Sequence, residues 1–328
     1  MPKNNKKEVK TIPKLHPRNR HKGRYDFALL IESSPELGQY VKPNIHGDNS
    51  IDFTNPLGVK ELNKALLKSQ YDIEYWEIPE NYLVPPIPGR ADYIHHMADL
   101  LRMNNYGKIP TGKAVTCLDI GVGASCIYPI IGTAEYGWNF IGSDIDPVAL
   151  KSSLEIINNN PFLNGLIELK LQENVKDMLY GIITKEDRID FSICNPPFHN
   201  SVEEQQAVST RKVKNLSKGK VRTATLNFGG QANELWYEGG ERKFIRELIR
   251  QSKNFATSCF WYSTLVSKQT NLKYYYEALE IAKVVEMKTI PMGQGNKTSR
   301  ILVWTFLTPE QQKLWKNAKW KVNVKPPN

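Results

Sequence analysis

Cys117-Leu118-Asp119-Ile120-Gly121-Val122-Gly123-Ala124-Ser125 joins an apolar run to a loop carrying two glycines. The run reads as a buried strand, assigned here to Ala114–Ile120. Gly121 and Gly123 let the chain turn tightly and approach a ligand closely at the start of the next helix. Cys126 stands where the third glycine of the G-x-G-x-x-G dinucleotide fingerprint would be. The following strand, Asn139–Ser143, runs into Asp144-Ile145-Asp146-Pro147. An acid about 20 residues beyond the glycines is placed to bind the two hydroxyls of a ribose, and Asp144 is the candidate. Asp146, just before Pro147, suits the N-cap of the next helix; the competing reading makes both acids caps. The loop lacks lysine and G-K-[ST], which disfavours an NTPase.

Outward from this stretch the chain alternates. Helices are expected at Ile127–Ala134, Val148–Asn158, Lys243–Ser252 and Tyr274–Ala282, and strands at Ile167–Leu171, Ile189–Cys194 and Ser258–Thr264. Such alternation predicts an α/β fold built on a mostly parallel sheet with helices on both faces. Two late strands, around Val284–Thr289 and Arg300–Leu307, are joined by the Met292–Asn296 segment without a helix. They should form a hairpin that brings an antiparallel strand into the sheet. Upstream, Pro85-Pro86-Ile87-Pro88-Gly89 marks a boundary before a helix at Ala91–Met103. Residues 25–85 read as a small, mainly helical accessory region, with a helix near Val59–Gln70.

The strand Ile189–Cys194 ends in Asn195-Pro196-Pro197-Phe198. Two prolines stop the ladder, since neither has an N–H and each fixes φ. The product is a stiff, extended turn at the carboxyl end of a strand, where ligands bind in open α/β sheets. The Asn195 side-chain oxygen and the Pro196 carbonyl can both accept from an exocyclic –NH2, while Phe198 stacks on the ring that bears it. That arrangement suits methyl transfer to a base amine. A sulfonium donor such as S-adenosylmethionine carries its own activation, so the protein need only orient donor and acceptor. Hydride transfer would need a positioned acid/base partner, and no candidate constellation is visible.

The formal charge is +10, unevenly spread. Residues 1–24 hold nine Lys/Arg against Glu8 alone, six more lie between Gln205 and Arg222 with no acid, and only basic charges follow Glu310. One such run is usually a solvated segment; two acid-free runs, one just after the proline turn, favour a phosphate backbone as partner. Residues 1–24 are expected to be mobile until they meet it. The cysteines Cys117, Cys126, Cys194 and Cys259 show no C-x-x-C spacing and read as buried free thiols. No metal site is expected. With no secretory h-region and no membrane-length apolar run, a soluble cytoplasmic protein is expected.

Jointly the motifs resemble the class I S-adenosylmethionine-dependent methyltransferases, and within them the bacterial 23S ribosomal RNA adenine-N6 methyltransferase family. The resemblance is carried by His16–Phe27, Pro88–His95, Cys117–Pro129, Asn195–His199, Asn227–Gln231 and Glu234–Glu241. It implies a Rossmann-like seven-stranded sheet with a C-terminal antiparallel strand. It implies S-adenosylmethionine as cofactor, S-adenosylhomocysteine as product, and an acceptor adenine at position 1618 of large-subunit rRNA. Arg90, Gly121, Gly123, Ser125, Asp144 and Asn195 would line the donor and acceptor sites, with Arg90 clamping the donor's carboxylate. Asp119 would orient the glycine loop or touch the donor's amine. The implied organisation is a flexible RNA-binding arm (1–24), the accessory region (25–85), the methyltransferase domain (86–310, with a substrate loop at 205–241) and a basic tail (311–328).

RNA contacts are expected from Arg18, Arg20, Lys22 and Arg24 in the arm and from Arg211, Lys212 and Lys214 in the loop. Phe228, Trp236 and Tyr237 either close over a flipped-out adenine or pack against the core. Three other functions compete: a guanine-N2 methyltransferase, a protein glutamine methyltransferase, and a non-catalytic RNA-binding assembly factor on a methyltransferase fold. Retention of Gly121, Gly123, Asp144 and Asn195 together argues against the last.

Overall fold

A computed structural model of the chain describes residues 14–197, 237–294 and 297–320. Its centre is a seven-stranded sheet. The strands are β3 (Thr116–Ile120), β4 (Asn139–Asp144), β5 (Ile167–Leu171), β6 (Ile189–Cys194), β7 (Cys259–Val266), β8 (Glu286–Gln294) and β9 (Lys297–Thr305). They lie in the order β5-β4-β3-β6-β7-β9-β8. All neighbours are parallel except β9, which runs antiparallel to both β7 and β8. This is the class I methyltransferase architecture expected from the sequence.

Alternation along the strands builds two cores. Cys117, Ile301 and Val303 pack on one face with α3 (Ile87–Asn104), α4 (Ile127–Tyr136) and α5 (Pro147–Asn158). Leu118, Ile120, Leu302 and Trp304 face the other way, against α6 (Gly240–Ser252) and α7 (Leu272–Ala282). Each fully buried aliphatic side chain contributes roughly 1.5–3 kcal/mol, so the sheet centre holds most of the stability. Contact is close on the first face: a Cβ at Gly132 of α4 would collide with the Phe140 ring of β4.

The boundary expected at residue 85 does not divide the core. α1 (Phe27–Ser33) and α2 (Pro56–Tyr71) place Phe27, Leu30, Leu62 and Leu66 in the same apolar cluster as α3 and α4. A short hairpin, β1 (Val41–Pro43) with β2 (Asn49–Ile51), was not anticipated. Its turn is set by the Asn44 side chain, whose oxygen accepts from the amides of His46 and Asp48.

Two expectations about the ends are corrected. Residues 14–24 are not a loose arm but a clasp over α3 and α4. His16 donates its amide to Asp92 (2.6 Å), Arg18 pairs with Asp99 (3.0 Å), Arg20 with Glu135 (2.8 Å), and His21 meets Tyr71 Oη (2.9 Å). The helices present acids along the path of the segment, and Arg18 and Arg20 are spent on them. At the other end, the tail is structured as far as Trp320. Helix α8 (Pro309–Lys319) opens on a Thr308–Gln311 capping box. Trp315, Trp320 and Lys319 then all donate to Asp190, a fully buried carboxylate of β6, at 2.8, 2.7 and 2.7 Å.

The β8–β9 pairing also continues further than expected, to Gln294↔Lys297, so Met292 and Gly293 belong to the strand. Pro291 is tolerated because β8 is the sheet edge, where a missing N–H costs no ladder bond. All four cysteines are buried and free. Among the described residues, no helix is long and apolar enough to cross a membrane.

Candidate active site

The chain order reverses at β3, which has β4 on one side and β6 on the other. A crevice opens at such a switch point, beyond the carboxyl ends of the strands. Register brings the motifs level there. Ile120 lies opposite Ser143 of β4 and opposite Cys194 of β6. Gly121, Asp144 and Asn195, each the next residue in its chain, therefore emerge side by side. They line one cavity of about 840 Å³ together with Arg90, Gly123, Ser125 and Pro197.

The glycine loop is held from behind. Its carbonyls at Gly123, Ala124 and Ser125 accept from Ser153 (2.7 Å), Ser152 (3.0 Å) and the Trp76 indole (2.9 Å). The amides of Gly121 and Val122 donate to the Ser143 carbonyl, both at 2.9 Å. Gly121 has φ +78, and a Cβ there would meet nothing within 4 Å. The loop thus presents bare backbone to open space, which is what close approach by a ligand requires. Cys126, in place of a third glycine, takes the left-handed conformation itself (φ 52) as the residue before α4. A buried non-glycine residue there is strained and persists because the surrounding packing imposes it.

Asp144 accepts from the Gly123 amide (2.8 Å) and the Asp146 amide (3.0 Å), which aims its carboxylate along the crevice floor. Burial pushes this carboxyl above the usual range. Asp146 caps α5 through the amides of Val148 and Ala149, as expected, and also accepts from Tyr82 Oη at 2.6 Å. Arg90, in the first turn of α3, lies 5.4 Å above the Tyr128 ring. Asp119 is fully buried beneath the loop, and neither of its carboxylate oxygens has a hydrogen-bond partner. Burial, aided by the charge of Asp144 and opposed by Arg90, pushes it up to about 8. Asn195 Oδ1 is likewise buried and unpartnered, and Pro196 beside it is buried.

These features fit a cationic amino-acid nucleoside. Two orphaned acceptors, Asp119 and Asn195, call for donors from outside the protein. Arg90 offers a guanidinium to a carboxylate, and Asp144 offers a carboxylate to hydroxyls.

Sequence reasoning missed several contributors. Trp76, Ser152 and Ser153 staple the loop. Ile145, Gln172 and Met178 help to wall the cavity, with Met178 held by its amide to the Gln251 side chain at 2.9 Å. None of these belongs to a motif; small polar residues on a helix carry no distinctive spacing. Arg18, Arg20, Lys22 and Arg24 do not line the cavity. The first two are bound in the clasp, Lys22 donates to the Pro17 carbonyl (2.8 Å), and Arg24 reaches Asp48 (2.8 Å) while staying 84% exposed. Phe198, Arg211, Lys212, Lys214, Phe228 and Trp236 lie outside the described residues. Tyr237 is described: it borders the cavity and meets Phe244 edge-on at 5.2 Å.

A family model described as RNA methyltransferase matches residues 9–308. The ribosomal RNA large subunit methyltransferase F of Cytophaga hutchinsonii is 56% identical over 319 residues, covering 97% of this chain and 99% of that protein. Its namesake from Yersinia enterocolitica is 53% identical, covering 95% and 94%. Among solved structures, the human METTL16 catalytic domain in complex with a MAT2A 3′UTR hairpin aligns with a TM-score of 0.75 at 29% identity, covering 90% of this chain and 96% of that one. The human METTL16 N-terminal domain in complex with S-adenosylhomocysteine aligns at 0.71 and 28% identity, covering 90% and 99%. With the crevice geometry, these likenesses settle the family: the chain belongs to the RNA methyltransferases and is an S-adenosylmethionine-dependent enzyme.

Proposed function

We propose that this enzyme methylates the N6 amine of one adenine in 23S ribosomal RNA, position 1618 by the family resemblance, and that it does so in the cytoplasm. The observation that carries the reading is Asn195 Oδ1. It is a buried acceptor without a partner, at the carboxyl end of β6, facing the same cavity as Gly121 and Asp144. The near-identical length and high identity of the large-subunit relatives support the same substrate.

When bound, the donor supplies a methyl group already activated on sulfur. Arg90 would hold its carboxylate, Asp119 its amine and Asp144 its ribose hydroxyls. Asn195 Oδ1 and the Pro196 carbonyl would accept the two N6 hydrogens. Those bonds draw the amine lone pair out of conjugation with the ring and stabilise the positive charge that grows on nitrogen. The proline pair keeps both acceptors in place without an ordering cost at the moment of reaction. No general base is needed, because the proton leaves to water after transfer.

The test is incubation of purified protein with radiolabelled S-adenosylmethionine and unmodified 23S rRNA, followed by nucleoside chromatography. Label in N6-methyladenosine at a single position, lost in Asn195→Ala, is the expected result. Label in N2-methylguanosine would overturn the acceptor assignment and keep the fold.

A further inference from the structure

Helix α6 leaves the cavity mouth and carries a stripe of cations away from it. Arg242, Lys243, Arg246, Arg250 and Lys253 are all exposed. Positions 242, 246 and 250 fall on one helix face about 6 Å apart along the axis, and Lys253, the residue after the helix, continues the row about 4.5 Å on. These cations border a groove of about 640 Å³ between α6 and α7. Its apolar floor is Ile249, Ala278 and Ile281, the last 77% exposed. Glu247 is the one acid among the groove's lining residues, and Glu277 and Glu280 of α7 lie outside that lining.

The pairing within the stripe is local and weak. Arg250 meets Glu247 three residues back (2.5 Å), and Lys243 meets the 87% exposed Glu238 (3.2 Å). Arg242 sits over the Tyr274 ring, its Cζ 3.4 Å from the ring centre. Arg246 and Lys253 make no ion pair among the described residues. Among the described residues, no acid uses these two charges. The groove is also continuous with the catalytic crevice, because Lys243, Glu247 and Arg250 line both.

We propose that the α6 face is a phosphate track that holds a strand of the RNA flanking the target adenine. The proposal rests on the RNA reading above and adds a surface to it. A row of cations spaced along a groove that starts at the active site matches a polyanion threaded from that site. It is a poor match for a neutral or basic protein face. The apolar floor accepts the ribose edges of the same strand.

The test measures filter binding of unmodified 23S rRNA to the full chain across a salt series, with Arg246→Glu/Lys253→Glu and the milder Arg246→Gln/Lys253→Gln, alongside S-adenosylhomocysteine binding. Neither residue lines the catalytic cavity. The expected result is unchanged homocysteine-product binding and RNA affinity about tenfold weaker in the glutamine pair. The slope of log affinity against log salt should be shallower by roughly one for each side chain removed. Unchanged affinity and slope in both pairs would overturn the track. Weaker methylation of ribosomal particles with unaltered naked-RNA binding would also overturn it and assign the groove to a protein. Failure of the unaltered enzyme to bind RNA would sink the RNA reading itself, a result distinct from either.

Discussion

Asn195 and Asp119 are two buried polar groups that the protein leaves without donors, and each therefore makes its own prediction. Asn195→Ala removes the acceptor proposed to hold the target amine. Turnover should fall by about 10²–10³, the usual loss when one positioned transition-state contact is deleted. Donor affinity, measured by calorimetry, should stay within about twofold, since a contact made to the acceptor contributes little to donor binding. Asp119 speaks to pH. Its folded pKa of about 8 exceeds the ordinary carboxylate value, so without a ligand much of it is protonated near neutrality. A cationic amine arriving beside it favours the carboxylate, so binding releases a proton. Donor affinity should rise as pH is raised toward 8 and level off above it. Calorimetry in buffers of different ionisation enthalpy reads that proton directly, and Asp119→Asn should abolish both the release and the pH dependence.

At the scale of elements, the clasp and the last helix are the parts whose removal is felt far away. Asn19 is fully buried and donates from its side chain to the Pro88 carbonyl (2.9 Å) and to Asp92 (3.1 Å), two residues either side of Arg90. The clasp thereby fixes the first turn of α3, which aims the guanidinium into the crevice. The histidine at its centre and one beneath it on α3 are held neutral: burial keeps His21 down at about 4 and His95 at about 3. The unfolded chain takes up protons near 6.5 that these rings refuse. The clasp's stability is whole above that pH and is lost progressively as pH falls from 6.5 toward 4. For His21 alone the loss amounts to about 3 kcal/mol. Thermal melts across that range should show the midpoint falling with acidity, and less steeply in His21→Phe. Asp190 anchors α8 with two indoles and an ammonium. Asp190→Ala strands those donors and should cost about 3–5 kcal/mol, read by chemical denaturation.

Considered as one molecule, the protein lines its catalytic cavity with residues drawn from α3, β3, β4 and β6, and no single element forms it. Ligand binding should therefore stabilise the whole cooperative unit. S-adenosylhomocysteine at 100 times its dissociation constant adds about 2.7 kcal/mol. That should raise the melting temperature by several degrees. Asp144→Ala should erase the shift at the same ligand concentration; a shift of equal size in that variant would show that Asp144 is only a loop brace.

The alternation of strands and helices, the glycine loop, the acid after β4 and the proline turn were all legible in the chain, because each is a local pattern with a local cause. Period-two apolar runs make strands, glycine permits φ of +78, and paired prolines end a ladder. β5 and β6 were placed to the residue for that reason. What only the tertiary structure decided depends on partners distant in sequence. A run of arginines near the N-terminus reads as a free cationic arm until Asp92, Asp99 and Glu135 are found beneath it. A basic C-terminal segment reads as a tail until Trp315, Lys319 and Trp320 converge on Asp190, some 125–130 positions away. Charge written along the sequence does not say which charges are already paired. That is settled by packing: among the described residues it pairs Arg18 and Arg20 with acids and leaves Arg246 and Lys253 without an ion pair.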